Sequence, residues 1–157
     1  MQTSVSMNMA RARAGQLAHG FKSEDIRSML AEGAVPFGHA VVEGTATRQG
    51  KVPSADTQVF AGIAALTQAL ESRTGVSAPG YADKETLNVC QWGSVWAQCT
   101  DTNVPSVNGS VYVVVGTGNA GKLTSSASGN INITTKVIVR EVDSDNKLAL
   151  IEFRERV

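Results

Sequence analysis

Leu87-Asn88-Val89-Cys90-Gln91-Trp92-Gly93-Ser94-Val95-Trp96-Ala97-Gln98-Cys99 is the stretch whose reading decides the fold. Apolar and β-branched residues run up to Gly93-Ser94 and away from it again. Such flanks around a Gly-first pair predict two strands joined by a type II′ turn, a β-hairpin. The pairing this implies sets Cys90 opposite Ala97 and leaves Cys99 on the diagonal. That diagonal is about 7–8 Å, long for a disulfide, so free and partly buried thiols are expected. In the same register Trp92 and Trp96 point to opposite faces of the ribbon. At least one then belongs to the core, and the other is either core as well or available to a partner.

Working outward, the neighbouring segments read the same way. Upstream, Val59-Phe60-Ala61-Gly62-Ile63-Ala64-Ala65-Leu66 is an apolar run expected to be a buried strand, although helix propensity alone would carry its Ala-rich tail on. Helix or strand stays open over 64–72. Phe37 to Gly44 is a second apolar run closed by glycine. Downstream, Ser110–Val115, Asn130–Thr134, Lys136–Arg140 and Leu148–Arg154 are β-branched or alternating, with Asp143-Ser144-Asp145-Asn146 as a turn between the last two. Strands recurring about every 10 residues with Gly, Asn, Asp and Ser between them indicate a barrel or a sandwich. The start of the chain differs. Residues 1–34 are irregular, with a basic knot at Arg11 and Arg13. Ile26, Met29 and Leu30 stand at helical spacing between a capping Ser23 and a stopping Gly33, which predicts one short helix. The expected fold is therefore mainly β, a β-barrel or β-sandwich over residues 35–157, with an extended, irregular N-terminal arm over 1–34 and at most one short helix.

Composition narrows function by exclusion. The chain of 157 residues carries 14 Lys+Arg and 14 Asp+Glu, a formal net charge of zero. Nucleic-acid binding draws on a cationic excess that displaces counterions, and none is present. The same balance gives no attraction to an anionic membrane surface, and no run approaches the ~20 apolar residues of a membrane span. The first residues lack a basic region followed by an apolar one, so synthesis in the cytoplasm of the producing cell is expected, with reduced thiols. Charged residues are 18% of the chain, below the usual share of about 25%, and Gly, Ser, Thr, Val and Ala stand in their place.

Chemical motifs are few and incomplete. Gly116-Thr117-Gly118-Asn119-Ala120-Gly121-Lys122 follows a strand and satisfies both common glycine-rich phosphate patterns. A phosphate loop needs Ser or Thr after its Lys, where Leu123 stands, and a helix whose N-terminus meets the phosphates. The segment that follows is loop or strand material, so a flexible β-connection is the better reading. Cys90 and Cys99, with His19 and His39 distant in sequence, make a poor zinc set. The histidines and serines lack a nucleophile elbow. Asp143–Asn146 opens like a calcium loop but lacks its later glycine and glutamate, which leaves a solvated hairpin tip. No catalytic residue, metal ligand or cofactor is expected, and the chain reads as a binding protein.

One resemblance gathers these features. Ala14-Gly15-Gln16-Leu17-Ala18, then Glu32 to Gly44 with Pro36-Phe37-Gly38-His39-Ala40-Val41 inside it, resembles the structural cement, or capsid decoration, proteins of tailed bacteriophages. Phe60-Ala61-Gly62-Ile63-Ala64, Gly80-Tyr81 and Val89 to Trp96 continue the likeness in the same order, from about Ala14 to Thr102. The resemblance implies a β-barrel or sandwich with an arm. It implies a place on the outer surface of the virion, where the protein bridges and stabilises neighbouring subunits of the major capsid protein. It also implies a small homo-oligomer, dimer or trimer, with neither nucleic acid nor membrane as a direct partner and no cofactor. Together with the irregularity of the arm, it nominates Arg11, Arg13, Gln16, Phe37 and Trp96 as capsid or oligomer contacts. The alternative is another phage structural module, a tail component or a lectin-like receptor-binding sandwich in which Trp96 stacks on sugar.

Overall fold

A computed structural model describes residues 12–18, 25–67, 79–116 and 118–157, and the described residues are all β and coil. The first seven strands are β1 (Asp25–Ala31), β2 (Val35–Pro36), β3 (Ala40–Glu43), β4 (Gln49–Lys51), β5 (Phe60–Ala64), β6 (Gly80–Tyr81) and β7 (Thr86–Trp92). The remaining six are β8 (Ser94–Gln98), β9 (Tyr112–Val113), β10 (Leu123–Thr124), β11 (Ile131–Asn132), β12 (Val137–Asp143) and β13 (Leu148–Phe153). A closed barrel takes the order β1-β4-β3-β5-β7, its strands antiparallel except for the β1–β4 pair. Beside it stand the sheets β12-β13-β8 and β10-β9-β11 and the small ladder β2-β6.

Side-chain alternation divides the interior in two. Met29, Val41, Ala61, Leu87 and Val89 join Val35, Phe37 and Tyr81 in one buried cluster. Val42, Phe60, Ile63 and Cys90, from the other faces of β3, β5 and β7, pack with Val95, Val113, Leu123, Val139, Ile151 and Phe153 in a larger one. These three strands are thus covered on both faces. Hence β5 reads as an unbroken apolar run rather than an alternating one. It ends at Ala64, and residues 65–67 are coil; the rest of the stretch left open, 68–72, lies outside the described residues.

Two local expectations are corrected. The strands on either side of Gly93-Ser94 form, but they do not pair with each other. β7 already has both edges engaged, on β1 through Ile26↔Cys90 and on β5 through Ile63↔Cys90. The chain therefore turns a corner at Gly93, whose φ of 101° lies where side chains are rarely tolerated. It then enters the neighbouring sheet as β8, with Ala97 opposite Ala149 on β13. The expected helix is likewise a strand. Met29 and Ala31 are buried while Ile26, Ser28 and Leu30 face solvent, a period of two, because β7 offers a pairing edge from Asn88↔Ser28 to Leu87↔Met29. Asp25–Ala31 accordingly lies in the barrel, ahead of the Val35 at which the β body was expected to begin.

Candidate binding surface

The free edge of β8 is covered by the chain's own residues 12–18. Gly15 N donates to Trp96 O at 2.7 Å, Trp96 N to Gln16 O at 2.9 Å and Ala18 N to Ser94 O at 2.9 Å, with Leu17 bridged to Val95. An extended segment added to a sheet edge satisfies backbone groups that would otherwise stay open to a foreign chain. Gly15 is also held from the barrel side, since Leu66 N donates to its carbonyl at 2.7 Å. A Cβ there would lie 2.7 Å from Ala64 O and 2.8 Å from Leu66 N, so only glycine fits between the two sheets.

This placement settles the surroundings of the nominated contacts. Trp96 is 7% exposed, packed with Ala12 and Leu148, so it does not present a free ring; Trp92 is the half-exposed one of the pair. The hairpin register that exposed one tryptophan does not exist, and the arm segment supplies the cover. Phe37 is buried, edge-on to Tyr81 with ring centres 5.2 Å apart. Arg13 and Gln16 are exposed, and Arg13 N donates to Gln16 Oε1 at 3.0 Å. Arg11 lies outside the described residues. Arg13, Gln16 and Trp96 thus come together along one edge, with Phe37 on the barrel side.

Between that edge and the barrel opens a cleft of about 250 Å³, walled by Pro36, Phe37, Leu66 and Pro79, with Ala14, His39 and Gln98 completing it. His39 Nδ1 lies 3.0 Å from Ala120 O. A carbonyl only accepts, so Nδ1 carries the proton, and in the neutral ring Nε2 is an acceptor. Burial holds the His39 pKa below the usual histidine value, and Lys122 pushes the same way against a partly opposing hydrogen bond to Ala120. Gln98 Nε2 donates to Lys147 O at 3.0 Å, which fixes the amide orientation and leaves Oε1 without a hydrogen bond among the described residues. Sequence reasoning missed this cleft. Its residues come from five separated segments, and only Pro36-Phe37-Gly38-His39 is contiguous.

The chemical motifs take structural places. Gly116–Lys122 connects β9 to β10, closed by Gly121 N to Val114 O at 2.9 Å and Val114 N to Lys122 O at 2.9 Å, and a strand follows it rather than a helix. Cys90 and Cys99 are buried thiols not joined in a disulfide, and burial pushes the Cys99 thiol up to about 12. Asp143 Oδ2 accepts from Asn146 Nδ2 at 2.8 Å at the tip between β12 and β13. His19 lies outside the described residues. Thr100 Oγ1 is a buried oxygen with no hydrogen-bond partner among the described residues, in the wall of a polar cleft with Asp101, Asn103, Asn119 and Ser126.

The family model described as structural cement protein (E217 gp24/Pam3 gp6) matches residues 1–154. A chain in the solved structure "The capsid of Myoviridae Phage XM1" has a similar fold, with a TM-score of 0.79 and 18% sequence identity over 100% of this chain and 99% of that one. No curated protein sequence matches the chain.

Proposed function

The chain belongs to the phage structural cement protein family and serves a capsid cement role as part of the virion; from that premise we propose that it binds the outside of the head and bridges neighbouring subunits of the major capsid protein. The family match over residues 1–154 carries this reading. The physical chemistry supports it. A chain of zero net charge, closed into a barrel and two further sheets, offers a stiff body that can sit densely on a protein lattice without self-repulsion. Small homo-oligomers would turn modest contacts into firm retention, because a second contact made by a tethered copy is intramolecular. The role asks for no catalysis: binding that favours the mature shell stabilises it by mass action.

The test is the number of copies of this chain in purified particles relative to the major shell protein. One copy per capsid subunit, or a simple fraction of that, is expected of a lattice component. A few copies per particle would overturn the lattice reading and move the chain to a tail or vertex, where the receptor-binding alternative would have to be taken up.

A further inference from the structure

The molecule treats two sheet edges differently. It covers the edge of β8 with its own residues 12–18, and it leaves part of the edge of β1 open. Ala31 N donates to Glu85 O on the β7 side, whereas Leu30 N and Glu32 N donate to Arg48 O and Gly50 O on the β4 side. Backbone groups alternate along a strand, so the even-numbered residues of β1 face β4. Yet β4 reaches only Leu30 and Ala31. The N–H and C=O of Ile26 and Ser28 therefore point past its end, and nothing among the described residues pairs with them. The outer face is apolar here, with Ile26 and Leu30 38% and 41% exposed on either side of Ser28. A groove of about 270 Å³ lies beside Ser28 and Leu30, bounded by Thr47 and Arg48.

We propose that this edge is a homodimer contact, in which β1 pairs antiparallel with β1 of a second copy about a two-fold axis at Arg27. In that register Ile26 stands opposite Ser28 of the second copy, and Ser28 opposite its Ile26. Each such pair exchanges two bonds, so the open backbone groups of one copy meet those of the other with none left over. The edge is thus self-complementary, as a two-fold contact requires. A foreign strand reaches the same groups, but it has to bring an apolar residue opposite Ser28, over the groove, and a small one opposite Ile26. Those are the residues β1 itself carries. Ile26 of the second copy comes to lie between Leu30 and the Thr47–Arg48 turn, and the exposed Ile26 and Leu30 of both copies form one apolar stripe.

The axis also brings Arg27 against Arg27 of the second copy. Each already holds Glu43 at 2.8 Å, so two neutral pairs meet rather than two bare cations. The contact gives a surface to the small oligomer of the cement reading; it rests on that reading for its purpose and not for its geometry.

Sedimentation of the full chain tests this first. A dimer is expected at about 50 µM, and a monomer up to about 500 µM, or a trimer, overturns the proposal. Ser28→Pro removes an N–H that a single copy leaves unpaired, at an edge position where proline is tolerated. Its melting temperature at high dilution is expected to match wild type, while dimerisation weakens at least about tenfold. Should that variant not fold, Ile26→Lys, a change on an exposed face, is measured in its place. Undiminished dimerisation of the folded variant overturns the proposal. Arg27→Cys places its thiols across the axis at about 4.5 Å between Cα atoms, within disulfide range, so mild oxidation is expected to link two chains. A dimer of this variant that does not link is made through another surface, which equally overturns the contact. None of these outcomes bears on the number of copies in particles, so the cement reading stands or falls on that separate count.

Discussion

His39 shows how one side chain ties position to proton chemistry. The residue is 9% exposed, its ring fixed by Nδ1 on Ala120 O and approached by Lys122. Burial lowers its folded pKa beneath the ordinary 6.5, so between that lowered value and 6.5 the unfolded chain binds more protons than the folded one. The contribution of the neutral ring to stability is therefore complete above about pH 6.5 and is lost as pH falls through the folded pKa. The urea midpoint of the wild type is expected to drop between pH 7.5 and pH 5.5, and His39→Asn should flatten that slope. Parallel profiles for the two proteins would show that His39 titrates as if it were in water. Cys99 obeys the same physics with the opposite sign for an acid, since burial disfavours its thiolate and pushes it up to about 12.

At the scale of elements, the molecule is joined where residues 12–18 lie on β8 and touch the end of β5. Gly15 is the pin: it donates to Trp96 O, accepts from Leu66 N and has a φ of 78°. Gly15→Ala puts a methyl against Ala64 O and Leu66 N in a conformation that L residues rarely adopt, so a loss of about 2 kcal/mol or more is expected in chemical denaturation. The same substitution should raise the accessibility of Trp96, read as a red shift of its fluorescence, since it loosens the segment carrying Ala12. An unshifted spectrum with full stability would mean that the segment does not hold this edge in solution. The strands themselves were largely legible in the sequence, because β-branched runs and turn residues report local preference. Partners were not. Nothing within 87–99 says that β7 has both edges taken by β1 and β5, and that fact converts a hairpin into a corner. Ile26 and Leu30, 38% and 41% exposed, misled in another way: apolar residues on the solvent face of β1 made a helical spacing out of a strand. The cleft was illegible because Ala14, His39, Leu66 and Gln98 meet only after β8 has crossed to β13 and the arm segment has docked.

At the scale of the whole molecule, the folded body reaches toward the N-terminus as far as Ala12. Ala12 is 5% exposed and covers Trp96, so the body requires the chain from about this residue onward. Removal of residues 1–13 would uncover the tryptophan and confuse lost contact with lost stability. Removal of residues 1–11 spares that contact. The shortened chain is expected to keep its melting temperature and β-rich circular dichroism, and to be retained more weakly by heads assembled without the protein. If each copy in a small oligomer loses its arm contact, the losses compound across the copies, so retention should fall far more steeply than the affinity of one copy. A monomeric form, obtained by dilution before mixing, should then differ less between full-length and shortened chains than the oligomer does. Equal retention of the two chains on the shell would place the whole of the binding in the folded body.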